Sequence, residues 1–153
     1  MTSAIEKENN ALGELISINK DACAFYHSAA KKVENMQLAR TFQDLENLHA
    51  GVAASLARQI RQNGGSAKDE EGTLSGKAAQ WYAEILAKVS NDADETLVSQ
   101  LEEAEDRCLH HMQDALKDDD IRVQTKSLLA SELTSLERSH DYMRNLKKFM
   151  KAA

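Results

Sequence analysis

No proline occurs anywhere in the 153 residues. Proline removes a helical N–H and clashes with the preceding turn, so its absence leaves the chain free to run in long unbroken helices. The composition suits that: Ala, Leu, Glu, Lys and Gln, all strong helix formers, dominate, and only six glycines are present. No segment alternates apolar and polar residues with β-branched enrichment, so no strand is predicted. The sequence predicts an all-α protein, and its length suits a single domain over residues 1–153.

Apolar residues recurring three and four apart divide the chain into helices. Ser3-x-x-Glu6 reads as a capping box for a first helix from about Ala4 to Glu34, with Glu8, Leu12, Leu15, Asn19, Ala22, Tyr26 and Val33 on its inner stripe. Asn35 can end this helix or start the next. The second helix carries Phe42, Leu45, His49, Val52, Leu56 and Ile60 and stops at Asn63-Gly64-Gly65. SAKDEEG, residues 66–72, reads as a polar loop. A shorter helix capped by Thr73 or Ser75 places Leu74, Ala78, Trp81, Ile85, Leu86 and Val89 on one face. At roughly 25 Å it can return the chain from one end of a bundle to the other, with Trp81 pinning it across the core.

Asp92-x-x-Glu95 is a second capping box, opening a third long helix with Leu97, Leu101, Glu105, Cys108, Met112 and Ala115 inward and Glu102 at the edge. Asp118-Asp119-Asp120 reads as a turn whose aspartates cap the next helix. That last helix, from about Ile121 to Met150, turns Leu129, Leu133, Leu136, His140 and Met143 inward, with Glu132 close to the same face. Four long helices with a short crossover helix between the second and third make the layout of a ferritin-like up-down-down-up four-helix bundle.

Charge and hydropathy exclude several functions. A formal net charge of −6 and a pI near 5.4 argue against nucleic acid, which needs a basic face. The cluster Arg144, Lys147, Lys148 and Lys151 suits the negative end of a helix dipole. No run of about 18 apolar residues is present, so no membrane partner is expected. MTSAIEKENN has no apolar core of a signal peptide. Cys23 and Cys108 lack zinc-motif spacing or the number of a disulfide framework. A cytoplasmic protein with reduced thiols is expected.

Two Glu-x-x-His pairs, Glu46/His49 and Glu137/His140, lie on helical stripes. Residues three apart share a helix face, so both side chains can reach one ion. In helix-bundle carboxylate proteins two such helices supply half the ligands of a di-metal site, and two others supply one Glu each. The candidate ligands are therefore Glu46, His49, Glu105, Glu132, Glu137 and His140, for iron or another transition metal such as manganese or zinc. Against a complete site, helix one offers only Cys23, Tyr26 and His27 near the same depth, and Glu46 and Glu137 fall at the boundary between core and water. His140 is placed on the order of 10 Å along the axis from the layer of Tyr26, Glu46, His49, Glu105 and Glu132. The favoured expectation is a buried hydrogen-bonded network of Tyr26, His49, Glu105, Glu132 and His140. His110 and His111 straddle the outer face of helix three and read as surface residues.

Several stretches resemble a bacterial family of ferritin-like bundles catalogued as domain of unknown function 2383. They are Lys20-Asp21, Phe25-Tyr26 and Ala29-Ala30, then Phe42-Gln43, Leu56 and Gly64-Gly65, then Gly76 and Trp81, Glu102 and Glu105, and Ser139-His140-Asp141. The resemblance spans about residues 9 to 147 and implies the fold, but very little about activity. The chain departs from the family pattern at Cys23, where a glutamate is expected, and at Glu46, His49 and Glu137. The first departure removes a potential ligand and the others add them.

Two functions follow. The first is a non-catalytic, stress-associated module expected to form a homodimer or bind another protein, with Tyr142 and Phe149 off the core stripe as its association face. The alternative is a metal-binding protein that uses the Glu and His residues above.

Overall fold

A computed structural model describes residues 3–71 and 94–152; the crossover segment with Trp81 and the Asp92 capping box lie outside them. Among the described residues the chain is helical, with no strand. No helix there is long and apolar enough to cross a membrane. The elements are α1 (Ala4–Lys32), α2 (Met36–Gln62), α3 (Ala67–Glu70), α4 (Asp94–Leu116) and α5 (Val123–Ala152).

The helix ends follow local chemistry. At α1 the Ser3 hydroxyl accepts the Glu6 N–H and the Glu6 carboxylate accepts the Ser3 N–H, each at 3.1 Å, as the capping box predicts. Asn35 starts α2 rather than ending α1: its backbone is extended, and its side chain accepts the Gln37 and Leu38 N–H groups at 2.9 and 3.0 Å. Asn35→Ala is expected to cost about 1 kcal/mol, read as a lower urea midpoint. α2 ends as predicted: Gly64 takes φ 80°, a conformation that favours glycine, and the Gly65 N–H bonds the Ile60 carbonyl at 2.9 Å. The loop expected at residues 66–72 instead contains α3. Ser66 and Asp69 form a reciprocal capping box there, which suffices for one turn without any apolar periodicity.

The aspartates before α5 behave differently from expectation. Asp118 shapes its own turn by accepting the Asp120 N–H at 2.8 Å. The N–H at the entrance of α5, that of Arg122, goes instead to Glu8 of α1 at 2.8 Å. The Arg122 guanidinium reaches the same carboxylate at 3.1 and 2.9 Å, and Asn63 at the end of α2 donates to it at 2.6 Å. Burial alone would push Glu8 up, but these bonds hold its carboxyl below the usual range. Three helix termini are thus tied at one buried carboxylate. Glu8→Leu strands those donors and is expected to cost about 1–3 kcal/mol in chemical denaturation; a cost below half that range would show the clamp to be decorative.

α1 packs along α2 and α4 along α5; α1 meets α4 more closely than α2 meets α5. The interior falls into two apolar clusters. One joins Leu12 and Ile16 with Leu56 and Ile60, Met112, and Leu129 and Leu136. The other joins Phe25 and Tyr26 with Phe42 and Leu45, Leu97 and Leu101, and Met143. Between them, in register on the four long helices, lie Asn19, His49, Glu105 and Ser139, all buried.

Candidate functional site: a buried polar centre

Each long helix contributes a polar side chain to this layer because each carries one on an otherwise apolar stripe. On α1, Asn19 and Tyr26 lie seven residues apart, two turns along one face. On α5, Ser139 sits between Leu136 and Met143 at helical spacings of three and four. Glu105 is the hub. Its Oε1 accepts the Tyr26 hydroxyl, the Ser139 hydroxyl at 2.6 Å and the His49 Nε2–H at 2.8 Å. The His49 ring stacks on Tyr26 with centroids 5.7 Å apart, and the Phe42 ring packs tilted against Tyr26 at 6.0 Å.

The hydrogen bonds also assign the protons. The Asn19 amide donates to the Leu15 carbonyl at 2.9 Å, which turns its oxygen toward His49 Nδ1 at 2.8 Å. Nδ1 must then carry a proton, and Nε2, facing a carboxylate that already takes two hydroxyls, carries the other. Burial by itself opposes charge on His49. The Glu105 carboxylate outweighs that and the imidazole is pushed up to about 10. For Glu105, burial likewise favours the neutral acid, but the His49 charge and the bonds from His49, Ser139 and Tyr26 hold it below the usual range. The centre is a buried imidazolium–carboxylate pair. Cys108 donates weakly to the Asn19 oxygen at 3.7 Å. Cys23, half-buried, donates to the Glu46 carbonyl at 3.3 Å and is pushed up to about 11 by burial and by Glu46 nearby.

Of the six candidate ligands, the fold brings together His49 and Glu105 only, and adds Tyr26 as expected. Glu46 turns outward to His27 Nδ1 at 3.1 Å. Glu132 is half-buried, Glu137 is exposed, and neither joins a hydrogen bond of this centre. The expected network is corrected on α5. His140 lies level with the centre, not about 10 Å from it, but it follows Ser139 by one residue and is therefore rotated by about 100°. It points to Asp106 at 3.1 Å and Asp141 at 3.2 Å. Ser139 takes the inward place, and Glu132 falls about two turns away along the helix. Ser139 and Asn19 as partners of the ion pair were missed, although both occupy inner-stripe positions.

Among the described residues, no group of three or more His, Cys, Asp or Glu side chains is placed to hold a metal ion. One atom stands out: Glu105 Oε2 is buried and has no hydrogen-bond partner among the described residues.

These features define a class, a helical protein in which a histidine–glutamate ion pair is enclosed by four long helices. The family described as Domain of unknown function (DUF2383) matches residues 7–118. The chain belongs to that family. The match ends at the α4–α5 turn, short of the residue 147 that the resemblance suggested, so Ser139 and the outer face of α5 lie beyond it. No curated protein and no solved structure matches the chain.

Proposed function

We propose that this chain is a ferritin-like up-down-down-up four-helix module, cytoplasmic, that acts without catalysis by associating with protein. The order of residues in the core supports the arrangement: early α1 and early α5 share a cluster with late α2 and late α4. The observation that carries the function is a contrast in exposure. The polar centre is sealed, with Glu105 at 2% exposure and its charge answered within the core, so it presents no reactive group to a substrate. Meanwhile Phe149 and Tyr142 on α5 stand 73% and 46% exposed beside an apolar groove. Aromatic side chains gathered on one exposed face mark protein contacts. The test places a photo-crosslinking phenylalanine analogue at position 149 in the full chain, with position 123 at the other end of α5 as control. Protein adducts at 149 and not at 123 are expected; their absence at 149 removes the reading.

The alternative reading, binding of iron or another transition metal, rests on Glu105 Oε2. A buried carboxylate oxygen without a donor among the described residues suits a cation, with His49 beside it. Glu46, Glu132, Glu137 and His140 would have to turn inward to complete a ligand set. Elemental analysis of protein purified without an affinity tag decides it: less than one transition-metal ion per chain removes the metal reading.

A further inference from the structure

We propose that the groove between the start of α2 and the C-terminal half of α5 is a two-fold self-association face, occupied by the same face of a second copy of this chain. The inference rests on the association reading above. The groove encloses about 340 Å³ and is lined by Leu38, Tyr142, Leu146, Phe149 and Met150, with the amides of Asn35 and Gln37 at its polar edge. None of these seven residues is charged.

Charge selects the occupant. Two copies of a chain with formal net charge −6 repel, so they meet at least electrostatic cost through a cleft whose lining carries no carboxylate. Three further clefts on the described surface fail that condition. One is edged by Glu103, Asp106 and Asp114, another by Glu14 and Asp118, and the third by Glu70. The groove on α5 meets it.

An acidic partner is disfavoured by the same geometry. By helical periodicity Arg144 and Lys151 lie on the opposite side of α5 from Tyr142 and Phe149, and Lys148 lies on the flank. Lys147 is engaged by Glu102 at 3.4 Å and Arg144 by Asp141 at 3.3 Å. Among the described residues no cation lines the groove to draw in a carboxylate.

A neutral, self-complementary patch is what a two-fold interface requires, since each residue of the patch must accept its own copy's neighbours. The groove and the exposed ring that can fill one lie side by side on α5. In the dimer each copy's Phe149 enters the groove of the other, and the Gln37 amide, which both donates and accepts, and the Asn35 amide N–H groups can bond across the axis.

Sedimentation equilibrium of the full chain over about 1–100 µM tests this. The wild type is expected at the mass of two chains. Phe149→Glu is expected to raise the dimer dissociation constant at least about 100-fold and run as one chain with unchanged helical circular dichroism. Tyr142→Glu serves as a second variant of the same face should the first fail to fold. Val123→Glu, at a site 78% exposed at the other end of α5, is expected to remain a dimer. A wild type that stays a single chain over the whole range overturns the proposal, as does a dimer that survives Phe149→Glu. If that monomer still crosslinks through position 149 to a different protein, the association reading stands and only the second copy falls. Without crosslinks both fall.

Discussion

His49→Leu is expected to destabilise the protein by about 3–5 kcal/mol, a large share of the 5–15 kcal/mol typical of a folded domain. The reason is not the lost contact but the stranded charge. Without the imidazolium, Glu105 keeps two hydroxyl donors, from Tyr26 and Ser139, in a site with 2% exposure. It must stay ionised without a countercharge or take up a proton, and either costs stability. Adding Glu105→Leu removes that charge as well. The double variant is therefore expected to be more stable than the sum of the two single changes implies, with a coupling of about 2–3 kcal/mol in a double-mutant cycle. It does not return fully to the wild type, because the Tyr26 and Ser139 hydroxyls lose the Glu105 carboxylate and the Asn19 oxygen loses the His49 N–H. Additive costs, measured by urea unfolding of all four proteins, would show that the two side chains do not form an ion pair.

The second large effect is in pH. His49 rises from 6.5 in the unfolded chain to about 10 in the fold, so its contribution is complete below pH 6.5 and lost as pH climbs through 10. Glu105 is lowered from 4.5, so its contribution is present above pH 4.5 and is lost as pH falls below that. The pair therefore stabilises most between about pH 4.5 and 6.5 and weakens on both sides. Between about pH 6.5 and 10 the folded state binds one more proton than the unfolded one. The stability difference between wild type and the His49→Leu/Glu105→Leu variant should then shrink by on the order of 4 kcal/mol. Taking that difference cancels the other titrating groups. A difference that does not vary from pH 6 to 10 would mean that His49 is neutral in the fold.

The all-helical fold was legible because period, caps and composition agreed at every long segment; the end of α2 was readable from Asn63-Gly64-Gly65, whereas Asn35 alone left open which helix it served. α3 was not, since one capped turn leaves no periodicity to detect. The core of the site was also legible: Tyr26, His49 and Glu105 are polar residues on apolar stripes, and their meeting follows from stripe and depth. The failures lie on α5. The depth given to His140 and Glu132 required the register of that helix against the others, which local pattern does not contain. The register is set by Arg122 meeting Glu8, a contact between residues 114 apart in sequence. Glu-x-x-His drew attention to His140, whereas the side chain that reaches Glu105 is the plainer Ser139 beside it.

The Glu8 clamp gives the chain an order of assembly. Glu8 belongs to the first turns of α1, yet the guanidinium that answers its charge is at the start of α5. During synthesis the chain emerges from its first residue onward, so every earlier helix is available while that carboxylate still has no cation. The first turns of α1 can form as a helix but cannot settle into their final burial without exposing the charge to an apolar surrounding. Glu105 meets its countercharge His49 on an earlier helix, and Ser139 of α5 adds only the last hydroxyl donor. The stretch shared with the family, residues 7–118, contains both buried carboxylates and neither of these α5 partners. The last helix thus closes the molecule by answering one charge set down long before it and adding a hydroxyl donor to another, and its Arg122–Glu8 contact is among the most distant in sequence, a topology that slows folding.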